Sequence, residues 1–152
     1  MNLTITPNQF KDFNIYFCEP IKNNIMHDGT FMRILYSSNK ITLNCIYILF
    51  NLNDITCGRY FNKYKLIFNK LTKKNEENIK ILKLIEFYIL NKFGLKTQKQ
   101  PQYKISEQLD QYNIKLYNQY SNDNIQLILK ISGIWENQKH YGLTYKFYPS
   151  VV

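Results

Sequence analysis

Basic and aromatic side chains occur close together at several places in this 152-residue chain, a combination suited to binding a polyanion. Lysine and arginine can follow the phosphates of a nucleic acid strand, and tyrosine or phenylalanine rings can stack on its bases. Each stacked base contributes about 1–3 kcal/mol, and about one counterion is released per neutralised phosphate. The candidate residues are Arg33, Tyr36, Lys40, Arg59, Phe61, Lys63, Lys65, Lys115, Tyr117, Lys130, Lys146 and Tyr148.

The densest group of these residues falls within 60–68, where alternating residue types predict a single strand. One predicted face carries Tyr60, Tyr64, Leu66 and Phe68, and the other carries Phe61, Lys63 and Lys65. Phe61 is the best candidate for base stacking, because it is the aromatic residue on the basic face. The alternative is that the tyrosines, which have high strand propensity, fill a core while the lysines solvate the other face.

The charge balance also favours an anionic partner. Lysine and arginine together number 20 against 11 acidic residues, which gives a formal net charge of +9. Only Arg33 and Arg59 are arginines, and specific contacts to guanine usually need the arginine fork. The composition therefore predicts contacts to the phosphate backbone with little sequence preference. A genome rich in A and T would also raise the lysine and tyrosine content without selection for binding.

Catalysis and metal binding find little support in the sequence. A nucleophile would need His27 or His140 as its base, and both histidines fall in predicted turns. The three cysteines form no C-x-x-C pair and have no histidine at a zinc-ligand spacing, and the glycines are isolated. We therefore expect no enzymatic activity, no metal and no cofactor. An enzyme acting on nucleic acid would need His27, Asp28 or another carboxylate around a divalent ion.

The composition predicts a folded protein of one domain, 1–152. Hydrophobic residues make up 45% and aromatic residues 16%, which is far from the composition of disordered chains. The chain contains no apolar run long enough to cross a bilayer and no signal-peptide pattern at its start. We expect a soluble, intracellular protein with reduced cysteines and no membrane partner.

One long helix is predicted over 76–93. Apolar residues recur there at steps of three and four, as one face of a helix requires, at Ile79, Leu82, Ile85 and Ile89. Asn75 can cap the start of the helix, and Gly94 follows its end as a stop signal.

Most of the remaining chain has the pattern of antiparallel strands. One hairpin is predicted between 31–37 and 41–50, a second between 112–120 and 124–135, and a third between the latter strand and 141–147. The segment 96–102 is predicted as a polar linker within the domain. Odd-numbered residues form the predicted core face of the third hairpin, including Trp135. A mostly β, OB-like barrel of about five to seven strands, with the helix inserted midway, is the economical architecture, because closure removes exposed edges.

The last quarter of the chain resembles a known family. The stretches 128–136 and 141–147, with their Gly133-Ile134-Trp135 and Gly142-Leu143-Thr144-Tyr145 motifs, resemble the closing hairpin of phage-type, OB-fold single-stranded DNA-binding proteins of large nucleocytoplasmic DNA viruses. The resemblance implies a β-barrel with an inserted helix and a role with single-stranded DNA in replication or recombination. It also implies a location in the host cytoplasm or viral factory, with replication or virion proteins as partners.

Two functions therefore stand side by side. The first is binding of single-stranded nucleic acid, with DNA favoured over RNA. The second is a structural or assembly role, for example as a virion component, in which the tyrosine-rich faces contact protein; exposed apolar faces and a stable homo-oligomer would favour it. The sequence leaves the site size and the oligomeric state open.

Overall fold

The computed structural model describes residues 3–22, 28–116 and 124–150. Two short 3-10 turns, Pro7–Gln9 and Asp12–Asn14, precede the first strand. The elements are, in chain order, β1 (Ile15–Phe17), β2 (Ile21–Lys22), β3 (Thr30–Ser37), β4 (Thr42–Asn44), β5 (Ile46–Leu52), β6 (Ile55–Tyr60), β7 (Lys63–Phe68), α1 (Lys73–Gly94), β8 (Gln100–Gln102), α2 (Lys104–Asp110), β9 (Asn113–Leu116), β10 (Ile125–Glu136) and β11 (His140–Pro149).

The strands form a curled, mostly antiparallel sheet and a smaller second sheet. The large sheet has the order β1-β3-β10-β11-β8, with β2 and β4 also paired to β3 and β5 paired to β10. Strand β8 runs parallel to its neighbour β11 in this sheet, and Ile5 makes an isolated parallel bridge to Ile48 of β5. The small sheet has the order β6-β7-β9. The curled sheet is a half-barrel, which confirms the predicted mostly β, OB-like class with one long helix.

Helix α1 contributes one wall of the core. The predicted helix is confirmed and extends over 22 residues, and its apolar repeat buries Leu82, Ile85 and Ile89 together with Phe93. Each fully buried side chain of this size contributes about 1.5–3 kcal/mol. Within the described residues, neither helix is long and apolar enough to cross a bilayer.

The first predicted hairpin is correct only in its first part. Strand β4 pairs with β3 around the predicted turn, where the Ser38 amide donates a hydrogen bond to the Ile41 carbonyl oxygen. Cys45 then adopts φ 74°, in the left-handed region, and interrupts the predicted strand 41–50. The chain continues as β5, which pairs with β10 and buries alternate residues of the strand.

The second predicted hairpin is wrong. Strand β9 pairs with β7, where Ile114 lies opposite Leu66 and both are fully buried, and β10 pairs with β3, β5 and β11. The two described elements between α1 and β9 were not predicted: strand β8, inside the proposed linker, and helix α2. The turn residues Ser121–Asp123 of that hairpin lie outside the described residues.

The third hairpin is confirmed, with one correction. Ser132 forms a β-bulge, because Ile131 pairs with Tyr145 while Gly133 pairs with Thr144. The bulge reverses which residues point inward, so Ile134 is fully buried and Trp135 leaves the predicted core face. Trp135 instead covers Gly142, where an added Cβ would lie 2.7 Å from the indole ring.

Candidate nucleic-acid interface

The segment 60–68 is a hairpin rather than the single predicted strand. Tyr60 and Lys63 pair across β6 and β7, so Phe61 and Asn62 form a two-residue turn in which Phe61 has φ 53°. Directly opposed residues share a face of an antiparallel sheet. Tyr60 therefore lies on the lysine face, and the prediction that it shared a face with Tyr64 is wrong. Phe61 lies at the tip of the hairpin, outside the face on which it was predicted.

A row of lysines crosses the small sheet on this face. Lys65 of β7 lies directly opposite Lys115 of β9, and Lys63 is two residues along the same strand. Like charges directly opposite each other in a sheet repel and destabilise it. A bound polyanion would relieve this repulsion, so the pair favours a site for negative charge.

Helix α2 and strand β11 close the other side of this row. Between these two elements and the small sheet lie two adjoining pockets of about 160 and about 300 Å³, which share Gln108, Lys115 and Tyr145 as lining residues. We call the combined space the lysine cleft, and its charged and aromatic residues are Tyr60, Lys63, Lys65, Lys104, Glu107, Lys115, Tyr145, Lys146 and Phe147. Among the residues that the structure describes, five lysines and one carboxylate line the cleft, and that carboxylate, Glu107, lies 3.3 Å from the Lys104 amino group.

Tyr60 supplies the exposed ring of the cleft. Its side chain is 46% exposed, and the Lys65 amino group lies 4.6 Å from the ring centroid. This cation–π contact contributes about 0.5–1 kcal/mol at an exposed site and keeps the lysine beside the ring. The Lys65 amino group and the Tyr60 ring are thereby held side by side, so that the amino group could contact a phosphate while the ring stacks on the neighbouring base.

Tyr145 forms the floor of the cleft. Its hydroxyl donates a hydrogen bond to Gln108 Oε1 at 2.9 Å, which ties β11 to α2. Burial, with smaller effects from the Glu86 and Glu107 carboxylates, raises the pKa of Tyr145 to about 12. The phenol therefore stays protonated and neutral, and its role is to position α2.

A buried carboxylate anchors α2 from below. Glu86 of α1 accepts hydrogen bonds from the backbone N–H groups of Ile105 and Ser106, both at 2.8 Å, and from the Ser106 hydroxyl at 2.6 Å. It therefore caps the start of α2 from another helix. Burial raises the pKa of Glu86 above its usual range, while these hydrogen bonds oppose the shift. This role was not predicted from the sequence, although a carboxylate on the apolar face of α1 was a usable signal.

A second basic patch continues from the cleft over the outer face of the large sheet. Lys146, which lines the cleft, lies directly opposite Lys130 of β10. The Lys130 amino group lies 5.8 Å from the centroid of the Tyr47 ring. This arrangement repeats that of the cleft, with two opposed lysines of which one reaches over a tyrosine. Tyr148 is half-buried on the same face, opposite Ile128. Tyr47 was not predicted, although it alternates with buried isoleucines.

Five predicted residues are placed neither at the cleft nor at the hairpin tip nor on the second basic patch. Arg33 is exposed on β3, Lys40 is exposed in the turn after it, and Arg59 lies opposite Tyr64 on the other face of the small sheet. Tyr36 is only 7% exposed; its ring stacks on Phe10 and its hydroxyl accepts a hydrogen bond from the Lys11 amide, so it is a core residue that no base can reach. Tyr117 lies outside the described residues.

An apolar groove lies on the far side of α2. Its volume is about 950 Å³, and α1, α2 and Tyr112 line much of it. Four of its apolar side chains are exposed: Leu71, Leu84, Phe87 and Tyr112. Its lining also includes an ion pair in which the Lys83 amino group contacts the Asp110 carboxylate. We call this surface the apolar groove; it was not predicted from the sequence.

Comparisons of the chain with protein-family models, with curated proteins and with solved structures find no significant match. The resemblance of the C-terminal hairpin to viral single-stranded DNA-binding proteins therefore stays a prediction. Among the residues that the structure describes, no three His, Cys, Asp or Glu side chains are grouped so as to hold a metal ion.

Proposed function

We propose that this protein binds single-stranded nucleic acid with little sequence preference, through the lysine cleft and the adjoining second basic patch, which contains Lys130 and Tyr47. The observation that carries the proposal is the meeting of five lysines from β7, β9, α2 and β11 beside the exposed ring of Tyr60. Two directly opposed lysine pairs, Lys65–Lys115 and Lys130–Lys146, belong to this surface. Their mutual repulsion decreases when phosphates bind between them.

The chemistry of the surface favours backbone contacts over base readout. Lysine is a point charge on a flexible stem and does not form the planar, bidentate contacts by which arginine recognises guanine. Arg59 lies on the opposite face of the small sheet, and Arg33 does not line the cleft. The resemblance of the C-terminal hairpin favours DNA over RNA and a role in replication or recombination.

The proposal is tested by fluorescence anisotropy with a labelled oligo-dT strand and a duplex of equal length, at several salt concentrations. Six phosphate contacts to a single strand, one for each of the five cleft lysines and one for Lys130, predict a slope of log affinity against log salt of about −4.2. We expect tighter binding of the single strand than of the duplex. An absence of binding at low salt would contradict the proposal and leave the net charge as a product of codon composition.

The apolar groove favours a second candidate function, that of an assembly protein whose chains meet through apolar surface. Exposed apolar patches of this kind mark sites of protein contact in many proteins. A stable oligomer that depends on Leu84 and Phe87 would support this function.

A further inference from the structure

The tip of the β6–β7 hairpin presents two aromatic rings nearly at right angles. Tyr60 is 46% exposed and Phe61 is 82% exposed. Their ring centroids are 4.8 Å apart, and the ring planes meet at 77°. The tip therefore offers two neighbouring rings that face different directions.

Neither turn geometry nor core packing explains a phenylalanine at this tip. Phe61 has φ 53°, in the left-handed region. This conformation is unfavourable for any residue that has a Cβ atom, whereas glycine adopts it without strain. Its ring is mostly in solvent, so burial returns little of this cost. A strained and exposed side chain of this kind is a reason to look for a ligand.

The charges around the tip indicate which ligand it would contact. Arg59 precedes the two rings, Lys63 follows them, and the Lys65 amino group lies 4.6 Å from the Tyr60 ring centroid. No acidic residue occurs in 55–75, and the Glu107 carboxylate, which lines the cleft with Tyr60, is paired with the Lys104 amino group. This local charge fits a phosphate backbone better than an apolar protein surface or an acyl chain.

We infer that the Tyr60–Phe61 tip makes the protein select unpaired strands over duplex, an inference that rests on the proposed function of the lysine cleft. Successive bases of a duplex are stacked parallel to one another, so they cannot lie flat on two rings that meet at 77°. Two neighbouring bases can stack on both rings only when the strand turns sharply between them. A single strand makes such a turn at low cost, whereas a duplex must first lose pairing and stacking.

The test compares the affinities of wild type, Phe61→Gly and Phe61→Tyr for a single strand and for a duplex of equal length. Glycine suits the left-handed backbone, so Phe61→Gly should fold normally, and Phe61→Tyr keeps a ring at the tip. We expect Phe61→Gly to bind the single strand about 5- to 150-fold more weakly, the equivalent of one stacked base, with unchanged affinity for the duplex. Phe61→Tyr should retain the selectivity of the wild type. Phe13→Gly is the control, because Phe13 is another exposed phenylalanine, 68% exposed, outside the cleft.

The outcomes separate this inference from the proposed function. Equal losses on single strand and duplex, or no loss on either, would overturn the role of the tip while salt-sensitive binding by the wild type kept the function of the cleft. A wild type that binds neither nucleic acid at low salt would overturn both. If Phe13→Gly lost as much single-strand affinity as Phe61→Gly, the role of the tip would also be overturned, because the loss would then not depend on the position of the ring.

Discussion

The lysine cleft and the apolar groove lie on opposite sides of one seven-residue helix, and they differ in charge and in polarity. Lys104, Glu107 and Gln108 of α2 line the cleft, whereas Ser106, Leu109 and Asp110 line the groove. The cleft carries an excess of positive charge. The groove is mostly apolar, and two of its charged lining residues, Lys83 and Asp110, form an ion pair with each other. One short helix thus separates the surface that we propose binds a polyanion from an exposed apolar surface.

This difference has a measurable consequence. Binding in the cleft should weaken steeply as salt rises, because it depends on the release of counterions. Contacts in the groove should depend little on salt, because burial of apolar surface does not involve net charge. Changes on one side of α2 should therefore leave the other side unaffected, provided that the helix itself stays in place.

Charge reversal in the cleft should have the largest effect. Lys63→Glu combined with Lys115→Glu removes two phosphate contacts and adds two repulsive charges at the small sheet. We expect single-strand affinity to fall on the order of a hundredfold at low salt, equally for all sequences, and the salt slope to decrease by about 1.4. Anisotropy titrations at several salt concentrations measure both quantities.

The matched control is Lys22→Glu combined with Lys139→Glu. These two lysines are exposed and line neither pocket of the cleft, and the change in net charge is the same. The control should lose far less affinity. Similar losses in both double variants would show that net charge alone, rather than the cleft, determines binding.

Removal of the anchor beneath α2 should have the next largest effect and should act on both sides. Glu86→Ala leaves the Ile105 and Ser106 N–H groups and the Ser106 hydroxyl without their buried acceptor. We expect the free energy of unfolding, measured with urea, to fall by about 1–3 kcal/mol. Cleft affinity should fall as well, because α2 carries Lys104. Unchanged stability in Glu86→Ala would mean that the carboxylate does not hold the helix.

The same carboxylate predicts a pH dependence of stability. The pKa of Glu86 is raised in the folded state, so the folded protein holds a proton at pH values where the unfolded chain has lost it. The stabilising contribution of Glu86 is therefore complete below its unfolded pKa and is lost as pH rises through its raised folded pKa. In Glu86→Gln, which cannot titrate, this decrease in stability should be absent, and urea midpoints measured from pH 4 to pH 7 would reveal it.

Parts of the fold that depend on local pattern could be predicted from the sequence. Helix α1 was predicted because its apolar repeat lies within the helix itself, but its end signals were misplaced, since Thr72 precedes the first turn and Gly94 is the last helical residue. Helix α2 was missed because seven residues are too few for periodicity to be clear, and its start is capped by Glu86 from another helix. The pairing of β9 with β7 was missed because it joins segments far apart in the chain.

The candidate site could be predicted only in part from the sequence, for the same reason. Lys63, Lys65, Lys115 and Lys146 were predicted from residue type, and the structure brings them together. Tyr60 was assigned to the wrong face because the two-residue turn at Phe61–Asn62 contains no glycine, so alternation appeared to run straight through it. One unrecognised turn reverses the face of every residue on one side of it.

Substitutions in the apolar groove should have the smallest effect on nucleic acid binding. Leu84→Ser combined with Phe87→Ser removes two side chains that are 39% and 45% exposed, so little core packing is lost. We expect single-strand affinity to stay within about twofold of the wild type, because the groove carries no part of the lysine cleft. If the wild type forms an oligomer in sedimentation velocity, this variant should dissociate it while binding nucleic acid normally. A large loss of nucleic acid binding would instead mean that the two sides of α2 act as one site, since neither substitution alters the charge of the cleft.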